Sequence, residues 1–294
     1  MFYRRKLVFA LLENFENGLE KTRLQKLVFL LTNKQKNPDY DFVPYRFGCY
    51  SYSLKADLQA MIKRDWITLT EIGYELKTEK KYYNELRPVD KKIVDDTISL
   101  YGTMNTEQIT KHTYLNFPYH AINSTIASNI LPEKYYIRVQ EAKPKTDEII
   151  LFTIGYEGIS LEEYLNRLIK NDVKLLVDVR RNPLSQKYGF SKKLLSGFCK
   201  NLDIDYLHIP EVGIDSSKRR ELNTQKDYDV LFDDYNKTVL EETKENQAHI
   251  LALLKKYKRI ALTCFEAETC QCHRTHLAEK IKKSPTFKYK LQHI

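Results

Sequence analysis

The hydrophobic pattern changes character halfway along the chain. In the first half apolar residues recur at helical spacing. Leu24, Leu27, Val28 and Leu31 share one face of TRLQKLVFLLTNK. Thr22 followed by Gln25 at its head reads as a capping box. Leu54, Leu58 and Met61 or Ile62 share one face of YSYSLKADLQAMIKRDW, the second helix. WITLTEIGYELKT then alternates in two short runs around Glu71-Ile72-Gly73, a hairpin signal. Further helices are expected at about 88–100, opened by Pro88, and at 105–115.

The second half has short continuous apolar runs instead. IILFTIGY, KLLVDVR and RIALTCF read as apolar strands and IDYLHIP as a further short strand. Between and after them lie helical segments: SLEEYLNRLIKN with Ser160 as N-cap, a long stretch from about Tyr228 to Lys256, and CHRTHLAEKIKK. Strands alternating with helices predict a mainly parallel sheet covered on both faces. LPEKYYIRVQEAKPKTDE, with two prolines and dense charge, is the expected connection. The reading is therefore a mostly helical domain over 1–130 with the helix, helix, hairpin order of winged-helix modules, a linker over 131–148, and a three-layer α/β domain over 149–294.

Composition changes this picture little. Of 294 residues, 42% are apolar and 30% charged, with 21 tyrosines and 13 phenylalanines, which suits globular domains rather than disorder. No apolar run of membrane-spanning length occurs, so no membrane partner is expected. The basic and then apolar start, MFYRRKLVFALLENF, closes on Glu13 and Glu16 and reads as a helix, not a signal peptide. A reducing cytoplasm follows as the expected compartment for the five cysteines. The net charge of +9 is spread over both halves and suits an anionic partner: nucleic acid, DNA before RNA, or a nucleotide.

Chemistry in a parallel sheet belongs at the carboxyl ends of the strands. There the sequence offers Gly155, Tyr156 and Gly158, then Asp178, Arg180, Arg181, Pro183 and Ser185, then His208, Pro210, Glu211 and Gly213, and finally Cys264, Glu266, Cys270, Cys272, His273 and Arg274. Gly155 and Gly158 equally serve a tight turn. Asp178 would be costly to bury unpaired, and a structural pair with an arginine competes with a catalytic role. Cys272 at the start of a helix, beside His273 and Arg274, is expected to have a lowered thiol pKa. Cys264 would support it and Glu266 would transfer protons. Cys264, Cys270, Cys272 and His273 nominally make a zinc set, but the paired C-x-x-C spacing is absent. Adjacent Cys272 and His273 are not expected to reach one ion, so neither metal nor cofactor is predicted.

TIGYEG, VDVRRNPLS, YLHIPEVG and LTCFEAETCQCHR together resemble, in order and spacing, the uncharacterised family known as domain of unknown function 488, over about residues 149–284. The resemblance implies the α/β fold and a site. It carries Gly155, Tyr156, Gly158, Asp178, Arg180, Pro183, Ser185, His208, Pro210, Gly213, Cys264, Glu266, Cys272, His273 and Arg274 as family positions. Cys270 lies outside the pattern, and Ile214 stands where the family has a second glycine. TRLQKLVFLL, VPYRFGCYSYSLKADLQAMI and DWITL are more loosely similar to winged-helix-like domains of toxin–antitoxin and phage-related proteins. The expected function is that of an enzyme processing or modifying nucleic acid or a nucleotide. Glu266, Cys272, Asp178 and Cys264 are its candidate catalytic residues. Tyr156, Gly155, Gly158, Arg180, Ser185, His208, His273 and Arg274 would bind substrate, with Tyr156 stacking on a base. The alternatives are a non-enzymatic DNA-binding regulator that senses an anionic ligand, with a partner protein on its N-terminal domain, and a rhodanese- or phosphatase-like thiol enzyme.

Overall fold

The computed structural model describes residues 1–219, 222 and 224–294, divided into two compact units, Met1–Lys143 and Pro144–Ile294. Among the described residues no helix is long and apolar enough to cross a membrane.

The first unit comprises α1 (Tyr3–Leu12), α2 (Lys21–Thr32), the hairpin β1 (Val43–Tyr45) and β2 (Gly48–Tyr50), α3 (Tyr52–Lys63), the hairpin β3 (Ile67–Leu69) and β4 (Tyr74–Leu76), then α4 (Pro88–Tyr101), α5 (Thr106–Asn116), α6 (Ala127–Ile130) and α7 (Glu133–Glu141). Every residue of α2 from Leu24 to Thr32 is buried, so this helix forms the centre of the unit rather than an amphipathic wall. The predicted capping box does not form. The N-cap is Glu20, two residues before Thr22, and Gln25 turns away to hold Ser51, accepting from its N–H at 2.9 Å. Tertiary demand for Gln25 outweighs the local cap. Buried Asp57 on α3 ties down the N-terminus by accepting from Arg4 at 2.6 Å, Arg5 at 2.8 Å and Tyr40 at 2.9 Å. The stretch read as a linker contains α7: Pro132 occupies its N-cap position, so that proline opens a helix instead of breaking chain order.

The second unit holds β5 (Ile150–Gly155), α8 (Leu161–Lys170), β6 (Leu175–Asp178), α9 (Lys192–Lys200), β7 (Asp205–His208), α10 (Gln225–Lys237), α11 (Val239–Glu242), α12 (Lys244–Tyr257), β8 (Arg259–Cys264), α13 (His273–Lys282) and β9 (Lys290–His293). Among the described residues the sheet is five-stranded, in the order β7-β6-β8-β5-β9, with every pair parallel. Side chains alternate between its faces. Tyr164 of α8 donates to Thr263 on one face. Leu277, Ala278 and Ile281 of α13 join Leu151, Val177 and Leu262 on the other. The sheet is thus the middle of three layers. The chain leaves β6 toward β7 on one side, and leaves β8 toward β9 on the other. The connections therefore diverge between β6 and β8, the switch point where such sheets hold ligands. In register, Gly155 faces Cys264 and Asp178 faces Thr263, so the candidate strand ends lie side by side.

Candidate functional site

The strand-end residues do not form one pocket. The alternation of the strands sends them to opposite faces of the sheet, where they make two clusters.

On the α8 face, fully buried Asp178 is the hub. It accepts from Arg180 twice through the side chain, at 2.8 Å from Nε and 2.5 Å from Nη2, once from the Arg180 backbone at 3.1 Å, and from the Tyr206 hydroxyl at 2.5 Å. Arg180 spends its remaining donor, Nη1, on the Tyr156 hydroxyl and the Phe190 carbonyl, both at 2.8 Å. An arginine so engaged cannot clamp an incoming anion without abandoning a buried carboxylate. Tyr156 does not offer a base-stacking face: it is 2% exposed, and its ring lies flat on Phe190, centroids 4.1 Å apart. His208 is held by the Arg180 carbonyl at Nε2 and by Lys192 at Nδ1. The Ser185 hydroxyl accepts from the Lys187 N–H within its own turn. Burial and mutual pairing make this side an architectural network. Tyr206 and Phe190 complete it; a Phe and a Tyr of ordinary spacing gave no sign of that role in the sequence.

On the α13 face the arrangement differs. The loop after β8 is tied from several sides. The N–H groups of Tyr156 and Glu157 both donate to the Phe265 carbonyl, Ala267 N–H donates to the Glu157 carboxylate, and the Arg274 guanidinium donates to the carbonyls of Glu266 (2.5 Å) and Ala267 (3.1 Å). Gly155 makes the close approach possible: a Cβ there would lie 1.9 Å from the Glu266 carbonyl oxygen. Gly158 is required differently, by its φ of +75° in the turn. So anchored, Glu266 sets its carboxylate 3.1 Å from the Cys264 sulfur. Cys264 also lies 3.5 Å from His273 Nδ1, while His273 Nε2 is 2.9 Å from the Val179 carbonyl. A carbonyl only accepts, so Nε2 carries the proton and Nδ1 presents its lone pair to Cys264. Cys272 caps α13 beside them. The ligand-capable atoms of Cys264, Cys272 and His273 all lie within 4.8 Å of one another.

Two expectations fail here for physical reasons. Cys272 is completely buried, and desolvation, reinforced by its hydrogen bond to Cys264, pushes its thiol well above the usual range. Arg274 pulls the other way but less strongly. A thiolate poised at an open helix start is therefore absent, and Arg274, committed to two carbonyls, does not complete a thiol–arginine anion loop. Cys272 and His273 also do converge. Cys272 has extended backbone angles, φ −129° and ψ 128°, so its side chain is not splayed from that of His273 by the helical rotation. Cys270 is exposed and stands outside the cluster. Glu266 is only half-buried, and neighbouring Phe265 is 42% exposed, so this cluster meets solvent through the Glu266 loop.

Residues 160–281 match the model of the family described as Domain of unknown function DUF488. The matched span takes in Asp178, Arg180, His208, Cys264, Glu266, Cys272, His273 and Arg274 and starts just beyond the Gly155–Gly158 turn. The C-terminal unit thus resembles that family over its motif-bearing core. No curated protein matches the chain.

Proposed function

We propose that the chain is an enzyme directed at nucleic acid or nucleotides. The first unit holds the polyanion. The chemistry belongs to the Cys264, Glu266 and His273 cluster of the second, where a carboxylate and an imidazole lone pair flank one sulfur.

The observation that carries this reading is a groove of about 410 Å³ in the first unit. Its lining includes exposed Lys21 and Lys55 and, from the β1–β2 hairpin, Tyr45, Phe47 and Tyr50. The Tyr45 and Tyr50 rings are 5.0 Å apart, and Phe47 is 51% exposed at the hairpin tip. Lysine charge beside an exposed aromatic ring, backed by half-buried tyrosines, is a combination that grips a phosphate backbone while unpaired bases stack. Buried Lys26 stiffens the hairpin by donating to the carbonyls of Phe47 and Cys49. The order of α2, α3 and the β3–β4 hairpin is that of a winged helix, which adds to the same reading.

The test is fluorescence anisotropy of labelled single-stranded and duplex DNA with the full chain. Stacking contributes about 1–3 kcal/mol per base, so Phe47→Ala with Tyr50→Ala should weaken binding roughly 10-fold or more. Lys21→Glu with Lys55→Glu should flatten the salt dependence. Variants that bind as tightly as the parent, or a parent chain that binds no nucleic acid, would remove the basis for this reading.

A further inference from the structure

We propose that Cys264, Cys272 and His273 form a site for a thiophilic divalent cation, zinc above all. The inference deepens the reading of the Cys264, Glu266 and His273 cluster given above, and its test reads metal uptake rather than nucleic-acid binding or turnover. It rests on four observations about one small volume.

The first is convergence. Two sulfurs and an imidazole nitrogen, from the end of β8 and the start of α13, lie within 4.8 Å of one another. Sulfur and imidazole at about 2.0–2.3 Å from a tetrahedral ion would stand about 3.5–3.8 Å apart, inside that limit.

The second is the state of His273. Its Nε2–H is held by the Val179 carbonyl at 2.9 Å, and the ring is 1% exposed. A histidine that ligates a metal through one nitrogen characteristically donates the other N–H to a carbonyl or carboxylate, which fixes both tautomer and ring orientation. Here the nitrogen left with its lone pair is Nδ1, the one facing Cys264.

The third is the kind of ligand atom. Two sulfurs and one imidazole nitrogen are the donor set that thiophilic divalent ions such as zinc take in preference to magnesium or calcium. Binding balances as one divalent ion taken up and two thiol protons released, giving two metal–thiolate bonds and one metal–imidazole bond.

The fourth is the surrounding frame. The Arg274 guanidinium and the Gly155 backbone fix the loop that carries Glu266, and the Cys264 and Cys272 side chains are 3% and 0% exposed. Two thiolates and one imidazole make three protein ligands, the number found where a fourth position is left to water or substrate. Glu266 stands beside that set, 3.1 Å from Cys264, as the carboxylate that would serve a ligand in that position.

The experiment uses the full chain, reduced and stripped of metal. Equilibrium dialysis against micromolar zinc is expected to give one ion per chain, with about two protons released per ion in weakly buffered solution. Cobalt(II) in place of zinc should show thiolate-to-metal charge transfer and the intense visible bands of a four-coordinate site. Cys264→Ser, Cys272→Ser and His273→Asn should each abolish stoichiometric uptake, and Cys270→Ser should leave it intact. Where a variant fails to fold, the cobalt spectrum of the parent chain still decides. A parent that takes up no zinc at micromolar concentration, cobalt binding without charge transfer, or zinc uptake that survives Cys264→Ser and Cys272→Ser would each overturn the proposal.

Discussion

Asp178→Ala is expected to cost about 3–5 kcal/mol of folding stability, the range for removing one partner of a buried ion pair. The size follows from what is left behind rather than from what is lost. Arg180 is 6% exposed, and two of its side-chain donors end on Asp178. Without the carboxylate, a guanidinium remains in the α8-side interior with the Tyr156 hydroxyl and one carbonyl as its neutral acceptors. The Tyr206 hydroxyl loses its acceptor as well. Urea midpoints at neutral pH measure the effect. Replacing both partners, Asp178→Leu with Arg180→Met, should recover much of the loss, because a well-packed apolar pair avoids the desolvation of two charges. A cost below about 1 kcal/mol for Asp178→Ala, the scale of a surface pair, would contradict the view that this cluster is structural.

The second large effect is at Gly155. Its Cβ position is 1.9 Å from the Glu266 carbonyl oxygen, 2.8 Å from the Glu266 carbonyl carbon and 3.1 Å from the Arg274 guanidinium. Two of these are backbone atoms, which cannot rotate aside. Gly155→Ala must push the whole Glu266 loop outward, and overpacking of this kind typically costs about 1–3 kcal/mol. The loop holds Glu266 against Cys264, so uptake of zinc and any activity should fall more than stability does. Gly158→Ala is the contrast. Nothing lies within 4 Å of its Cβ position, and only its φ of +75° is strained, for a cost of about 1 kcal/mol. Thermal unfolding of the two variants separates a steric requirement from a conformational one. Equal, small effects would contradict the close approach of β5 to the loop.

The strands of the second unit were legible because buried parallel strands are near-continuous apolar runs, and β5, β6 and β8 are buried at every position. The edge strand β9 carries KLQH and is largely exposed, so it leaves no such run to read. The hairpin β1–β2 escaped notice for a different reason. Its strands are three residues long, and its turn depends on Gly48 at φ +89° rather than on a common turn pair. The family motifs gave the right strand ends, and the neighbourhood of Cys264, Glu266, Cys272, His273 and Arg274 was apparent from them. What one-dimensional spacing cannot supply is the face of the sheet. Asp178 and Cys264 end neighbouring strands, yet pleating sends the first to the α8 side and the second to the α13 side. Burial was equally invisible: a cysteine at a helix start reads as activated until it is seen to be sealed from water.

These two clusters divide the labour of the second unit. One braces the sheet, and the other meets solvent through Glu266. The most direct test of the enzymatic reading is mass spectrometry of short single-stranded oligonucleotides, of each base composition, after incubation with the full chain and one equivalent of zinc. A product of altered mass is predicted with the parent protein and none with Glu266→Gln, while both bind the oligonucleotide equally by anisotropy. Oligonucleotides that bind but return with unchanged mass, or that are converted equally by parent and Glu266→Gln, would contradict it.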